Sequence, residues 1–123
     1  MDSRALIAAL FGFSPAIRYV AEYRAGRLTS AERAGLASAS SSESDKYEEL
    51  IVNPTLLKLE TQRGNIDCGG AAYVLIRYGR FFEFVLPLED GHLSVGFELY
   101  APPAELAEGI RALIDGRGAT QSP

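Results

Sequence analysis

The chain has 123 residues, 47% of them hydrophobic, and a formal net charge of −4. This length is typical of one globular domain, since domains usually hold roughly 100–200 residues. The negative charge disfavours nucleic acids and membrane surfaces as partners, because both favour a basic face. A single cysteine, Cys68, excludes an internal disulfide and a multi-cysteine zinc site, so we expect a reducing, cytoplasmic location.

The N-terminal part of the chain predicts a helix followed by a β-hairpin. Residues 3–11 combine strong helix formers with apolar residues at helical spacing, and Asp2 or Ser3 is expected to cap them. A period of two follows, which places alternate residues on one face of a strand: Ile17, Tyr19, Ala21 and Tyr23. A turn at Gly26 then leads into a second strand, Arg27–Arg33.

The middle of the chain predicts a loop and then a helix with an interruption. The serine-rich residues 37–44 have little apolar surface to bury and are expected to form a mobile loop. Asp45 is expected to cap the helix that follows. Because proline lacks a backbone N–H, we expect this helix to bend or restart at Asn53-Pro54, and Gly64 to close it.

The last part of the chain predicts a three-stranded meander and a final helix. The strands are joined by short turns and are expected at Ala72–Tyr78, Phe81–Leu88 and His92–Tyr100. Gly96 indicates the close approach of a helix or another backbone. Pro102-Pro103 opens the last helix and Gly116 ends it, which leaves residues 117–123 as a frayed tail after one domain of residues 1–116.

The order of these elements predicts an α+β fold. Five strands must form one antiparallel sheet, and three helices are available to cover it.

Three stretches of the second half carry a family resemblance. They read LLKLETQRGNID from Leu56, YVLIRYGRFFEFVLPL from Tyr73 and GHLSVGFE from Gly91. The first resembles the end of the central helix of the Roadblock family, which includes dynein light chains and bacterial regulators of Ras-like GTPases, and the other two resemble its closing strands. The first hairpin also fits. The resemblance implies a profilin-like topology with strand order 2-1-5-4-3.

That strand order would leave two edge strands of different chemistry. Residues 27–33 carry Arg27, Glu32 and Arg33, which discourage strand addition, whereas residues 72–78 are largely apolar. We therefore expect a two-fold homodimer that pairs the second edge and sets the two central helices side by side, as the resemblance also implies. The predicted dimer and partner residues are Leu50, Ile51, Leu57, Tyr73, Leu75 and Arg77.

Candidate chemistry is sparse. A nucleophilic site would need Cys68 and the single histidine, His92, to meet, and nothing in their spacing indicates that they do. Glycine-rich nucleotide-binding motifs are absent from the sequence. We therefore predict no catalytic residue, no metal site and no cofactor. The strand arginines are expected to pair with Glu22 or Glu83; they are Arg18, Arg24 and Arg77.

The leading hypothesis is a non-enzymatic homodimeric interaction platform. By resemblance, it would bind a small Ras-like GTPase through its central helices and regulate nucleotide turnover. The alternative is a profilin-like sensory domain that binds a small molecule between the sheet and the helices near Gly96. A small hydrolase using Cys68 and His92 is the third hypothesis.

Overall fold

The computed structural model describes residues 2–36 and 42–121, with side chains up to residue 116. Its helices and strands follow one another in the predicted order. They are α1 (Ser3–Phe13), β1 (Ile17–Arg24), β2 (Arg27–Glu32), α2 (Ser42–Tyr47), a π-helical segment (Glu48–Val52), α3 (Asn53–Asp67), β3 (Val74–Arg77), β4 (Phe82–Leu88), β5 (Gly91–Phe97) and α4 (Pro103–Gln121). We call the continuous helical stretch from Ser42 to Asp67 the central helix.

The five strands form one antiparallel sheet in the order β2-β1-β5-β4-β3. This confirms the predicted α+β class and the predicted strand order. β2 and β3 are therefore the two edges of the sheet. β3 is shorter than expected, with four residues, because pairing with β4 extends only from Val74 to Arg77.

The apolar core lies between the sheet and helices α1 and α4. Asp2 caps α1, since its side-chain Oδ1 accepts a hydrogen bond from the backbone N–H of Ala5 at 2.8 Å. The strand side chains on this face are apolar and buried; they include Val20, Phe84, Leu86, Leu93, Val95 and Phe97. β5 ends at Phe97 and not at the predicted Tyr100. Its residues Leu93, Val95 and Phe97 enter this core by strand alternation, whereas Leu99, which the same alternation places on that face, lies beyond the strand and is exposed.

The alternation predicted for β1 fails at its first residues. A β-bulge shifts the register against β5 between Ile17 and Tyr19. Ile17 consequently joins Val20 in the apolar core, whereas Arg18 and Tyr19 both line a cleft between the sheet and the central helix, the helical stretch from Ser42 to Asp67. The extra residue turns Arg18 away from the face on which the period of two had placed it.

The central helix covers the opposite face of the sheet and neither breaks nor restarts at Pro54. The turn before this proline widens instead, and the backbone N–H of Asn53 donates to the carbonyl of Glu48, five residues earlier. A proline ring clashes with the carbonyl four residues before it, and a wider turn relieves that clash. The predicted interruption is therefore a π-helical segment inside a continuous helix.

Two glycines predicted to end helices lie inside them. The central helix continues to Asp67, and α4 runs past Gly116 to Gln121. At Gly64 an added Cβ would lie 2.6 Å from the backbone of Gly70, so glycine is needed for close packing of the chain after α3. The backbone N–H of Gly70 donates to the carbonyl of Gly64 at 3.0 Å.

The predicted serine-rich loop is partly outside the described residues, which exclude 37–41. Ser42–Ser44 already belong to α2, and Asp45 lies in its first turn instead of capping it. Within the described ranges, no helix has the length and apolar character needed to cross a membrane.

Candidate functional site

Polar side chains are buried on the sheet face beneath the central helix. Glu83 on β4 and His92 and Ser94 on β5 are each at most 1% exposed. Their positions follow from strand alternation, because their neighbours in sequence point into the apolar core on the other side. Glu83 faces Gly96 across the ladder, and Ser94 faces Val85, so Glu83 and Ser94 are diagonal neighbours.

The π-helical segment places a carboxylate among these side chains. Glu49 is fully buried, and both of its oxygens are hydrogen-bonded. One oxygen, Oε1, lies 2.8 Å from Nε2 of His92 and accepts from the side-chain amide of Asn53 at 3.1 Å. The other oxygen accepts from the hydroxyl of Tyr19 at 3.1 Å. These contacts join the central helix to β1 and β5.

Glu83 is less well satisfied than Glu49. Its Oε2 accepts from the hydroxyl of Ser94 at 2.9 Å and from the amide of Asn53 at 3.4 Å. No hydrogen-bond donor among the described residues reaches its Oε1, or the Oδ1 of Asn53. We call the group formed by these side chains the buried polar cluster: Tyr19, Glu49, Asn53, Glu83, His92 and Ser94.

The surroundings of Glu83 favour its protonated form. Burial raises its pKa well above the usual value, and the negative charges of Glu49 and Glu48 raise it further. The hydroxyl of Ser94 acts in the opposite direction.

A cleft of about 510 Å³ opens beside the buried polar cluster, between the first half of the central helix and the sheet. Aromatic rings and carboxylates line much of it; they are Tyr19, Tyr47, Tyr78, Phe81, Glu32, Asp45, Glu48, Glu49 and Glu83. The hydroxyl of Tyr78 donates to Oε1 of Glu48 at 3.0 Å, which joins the end of β3 to the central helix. Burial and adjacent carboxylates raise the pKa of Tyr19, Tyr78 and Asp45.

Gly96, near which the sensory hypothesis placed a ligand, lies next to three residues that line this cleft: Arg18, Tyr19 and Phe81. A Cβ at Gly96 would lie 3.2 Å from Cγ of Arg18 and 3.7 Å from the ring of Phe81. The close approach predicted at Gly96 therefore comes from side chains of neighbouring strands, not from a helix or another backbone. Arg18 itself pairs with Glu98 at 3.0 Å and stacks over the ring of Phe81.

The structure separates the two candidates for nucleophilic chemistry. Cys68 is exposed after α3, where its Sγ contacts the side chains of Arg63 and Asp67. His92 is buried under the central helix and contacts Glu49 and the ring of Tyr23. Within residues 2–36 and 42–121, no group of three or more His, Cys, Asp or Glu side chains is arranged to hold a metal ion.

A solved structure has the same architecture. The search of protein-family models and the search of curated proteins each found no match. The crystal structure of a Roadblock/LC7 domain from Streptomyces avermitilis superposes with a TM-score of 0.63 and 16% sequence identity, over 93% of this chain and 98% of that one. The chain has a Roadblock/LC7-like fold.

Some of the predicted interface residues lie on the central helix, and the others lie on or next to β3. Leu50 and Ile51 are exposed on the outer face of the central helix, whereas Leu57 is buried beneath it. On β3, Leu75 packs at the margin of the apolar core, and Arg77 is exposed over the ring of Phe82.

Tyr73, just before β3, leans towards α4. Its ring packs edge-on against Phe84, and its hydroxyl donates to Glu108 at 3.0 Å. Tyr73 therefore contributes to packing within this chain as well as lying next to the edge strand.

The pairing predicted for the strand arginines is confirmed for Arg24, whose guanidinium lies 3.9 Å from Glu22 and 3.4 Å from Asp90. Arg77 donates to the carbonyls of Tyr78 and Gly79. Glu83 faces the buried polar cluster instead of an arginine. One signal could have indicated this, because Glu83 interrupts an apolar strand whose alternate residues enter the core.

Proposed function

We propose that the chain is an interaction platform that pairs with a second copy along β3 and presents its central helix to a small Ras-like GTPase. The outer face of that helix carries the proposal. Five large apolar side chains on the helix are between 44% and 75% exposed; they are Tyr47, Leu50, Ile51, Leu59 and Ile66. We call them the apolar stripe.

The apolar stripe reverses the usual pattern of a surface helix. Such a helix normally turns its apolar side towards the core and its polar side towards water. Here the inner side carries the buried Glu49 and Asn53 together with Leu57, while much of the apolar surface points outward. A contiguous exposed apolar surface is typical of a protein interaction site.

The β3 edge supports pairing with a second copy. Its residues Val74, Leu75 and Ile76 are half-buried and uncharged, whereas the opposite edge, β2, is mostly exposed and carries Arg27 and Glu32. An apolar edge strand with free backbone groups is a template for strand addition. Two-fold pairing of β3 with β3 would join two sheets and bring two central helices together, since Tyr78 links the end of β3 to that helix.

The GTPase is proposed from the family resemblance of the stretches that begin at Leu56, Tyr73 and Gly91. A regulator of this kind acts by binding one nucleotide state of the GTPase more tightly than the other, which shifts the population towards that state. The apolar stripe supplies the contact area, and no catalytic group of the platform is required.

Binding to purified small Ras-like GTPases of the source organism tests this proposal. Each GTPase is loaded with GDP or a non-hydrolysable GTP analogue and titrated by calorimetry. We expect one nucleotide state to bind at least tenfold more tightly than the other, and Ile51→Glu to weaken that complex at least tenfold.

The matched control is Leu99→Glu, which places the same charge on an exposed apolar residue after β5. This variant should bind like the wild type. Equal binding of both nucleotide states, or an Ile51→Glu variant with wild-type affinity, would contradict the proposal.

A further inference from the structure

The cleft beside the buried polar cluster has the size and chemistry of a ligand site that the platform does not use. Its volume of about 510 Å³ lies within the usual range for small-molecule sites, roughly 300–1,000 Å³. It opens on the inner side of the central helix, whereas the apolar stripe lies on the outer side. Tyr47 belongs to both surfaces, whereas the other four residues of the apolar stripe do not line the cleft.

The lining of the cleft favours a positively charged ligand. Five carboxylates line it, on Glu32, Asp45, Glu48, Glu49 and Glu83, against two arginines, Arg18 and Arg80. Arg18 is already engaged by Glu98 and by the ring of Phe81. Aromatic faces also attract cations, and the cleft has three tyrosines and a phenylalanine in its walls.

Glu83 supplies a buried acceptor for such a ligand. It lines the cleft while being only 1% exposed, and its Oε2 is taken by Ser94 and Asn53. Its Oε1 lacks a donor within the described part of the chain. A buried acceptor without a donor destabilises the folded chain. A ligand N–H would remove this destabilisation.

We propose that this cleft binds a small molecule with a protonated primary amine, whose ammonium bridges Glu83 and Glu48 while its carbon chain packs against Tyr78 and Phe81. An ammonium has three N–H donors, so it can satisfy both carboxylates at once. A quaternary ammonium has none and would leave Oε1 of Glu83 unsatisfied. The aromatic walls suit the carbon chain of an amine better than a hydrated metal ion.

An ammonium beside Glu83 favours the ionised form of this carboxyl, so binding of the amine displaces the proton of Glu83. The groups facing Glu83 are Glu48 and Glu49 from the central helix, Tyr19 from β1, Tyr78 after β3, and the neutral donors Ser94 and Asn53, with Arg18 and Arg80 elsewhere in the lining. An alkylamine stays protonated up to about pH 10. Affinity therefore rises with pH while Glu83 loses its proton, and complex formation releases protons to the buffer.

Calorimetric titration of the full chain with butylammonium tests the site, with 1-butanol as the neutral probe of equal length. We expect saturable binding of butylammonium that tightens at least tenfold between pH 5 and pH 8, and no measurable binding of butanol. Proton release is measured by repeating the titration in two buffers of different ionisation enthalpy. Equal binding of both probes, or no binding of the amine, would overturn the proposal.

Glu83→Gln and Glu22→Gln form a matched pair of variants. Both replace a buried glutamate of the sheet, but Glu22 lies on the opposite face, where it accepts from Ser3. We expect Glu83→Gln to weaken butylammonium at least tenfold and to abolish its pH dependence, whereas Glu22→Gln binds like the wild type. Unchanged affinity in Glu83→Gln would contradict the site. Thermal unfolding of each variant confirms that it is folded.

Two further titrations separate the proposed ligand from other cations. Mg²⁺, Mn²⁺ and Zn²⁺ should not displace butylammonium, and displacement would assign the cleft to a metal. A short acetylated peptide with one lysine should bind more weakly than butylammonium, and tighter binding would assign the ammonium to a partner protein instead. Glu83→Gln should leave GTPase binding unchanged, so failure of the amine site is distinguishable from failure of the platform.

Discussion

The two faces of the sheet are built from different chemistry. The face under α1 and α4 is mainly apolar, with Glu22 as a buried carboxylate, whereas the face under the central helix buries two glutamates, an asparagine, a histidine and a serine. Strand alternation separates the two sets, so Glu83 lies between Phe82 and Phe84 in sequence and on the other side of the sheet in space. One short sheet thereby combines a stabilising face with a face suited to recognition.

The stabilising contribution of the two faces should differ accordingly. Burial of one large apolar side chain contributes about 1.5–3 kcal/mol. A buried hydrogen bond contributes only about 0.5–1.5 kcal/mol, and an unsatisfied acceptor such as Oε1 of Glu83 acts in the opposite direction. The central helix is therefore held in part by directional polar contacts, from Glu49 and Asn53 to side chains of the sheet.

The largest effect is expected on the apolar face. Phe84 is fully buried and stacks near Phe97, so Phe84→Ala should lower the free energy of unfolding by about 3–5 kcal/mol, through lost burial and the cavity left behind. Urea unfolding followed by circular dichroism measures the change. A loss below about 1 kcal/mol would mean that this face does not dominate stability.

A smaller effect is expected from the centre of the polar face. Glu49→Ala leaves Tyr19, His92 and Asn53 without their shared partner, and should cost about 2–3 kcal/mol. The same unfolding measurement applies. A loss equal to that of Phe84→Ala would show that the two faces stabilise the fold equally.

Two leucines of α3 that are separated by one residue provide a comparison within one helix. Leu57 is 8% exposed and Leu59 is 58% exposed. Leu57→Ala should cost about 2 kcal/mol or more, and Leu59→Ala less than about 0.5 kcal/mol. Similar losses for both would contradict the orientation of the central helix and with it the apolar stripe.

The smallest effect expected is the pH dependence due to Glu83. Its pKa is raised on folding, so the folded chain binds more protons than the unfolded chain above the ordinary carboxyl pKa of 4.5. Stability due to this group is complete below that pH and decreases as the pH rises through the raised value. Glu83→Gln should remove this decrease and be at least as stable as the wild type at high pH.

Chemical denaturation of both proteins at several pH values checks this expectation, with Glu22→Gln as the control for a buried glutamate on the other face. The control should keep the wild-type slope of stability against pH. If Glu83 instead made the wild type more stable as the pH rises above 4.5, the pKa of Glu83 would not be raised on folding.

Much of the fold could be predicted from the sequence because it depends on local periodicity. The alternation of β5, the cap at Asp2 and the apolar character of the β3 edge are all properties of neighbouring residues. The family resemblance added the strand order. The β1 bulge was missed because it depends on pairing with β5, almost eighty residues later.

The polar side of the central helix could not be predicted for a related reason. Pro54 signals a local irregularity, but a kink and a π-helical segment are equally compatible with it. The wider turn is what carries Glu49 to His92 and Tyr19. Glu83, His92 and Asn53 are individually ordinary residues, and only the tertiary structure brings them together.

The edge-strand proposal can also be tested with a matched pair of variants at Leu75. Leu75→Glu and Leu75→Ala both remove packing at the margin of the core, but only the glutamate places two like charges near each other across the two-fold axis. We expect Leu75→Glu to be monomeric and Leu75→Ala to remain dimeric. Identical oligomeric states for the two folded variants would contradict pairing through β3.

The most direct test of the platform is the absolute mass of the wild-type chain in solution, measured by light scattering after size exclusion over a tenfold range of concentration. Pairing through β3 predicts a constant mass of twice 13.3 kDa. A constant mass of 13.3 kDa would contradict the account, because the apolar β3 edge would then be stable without a second copy.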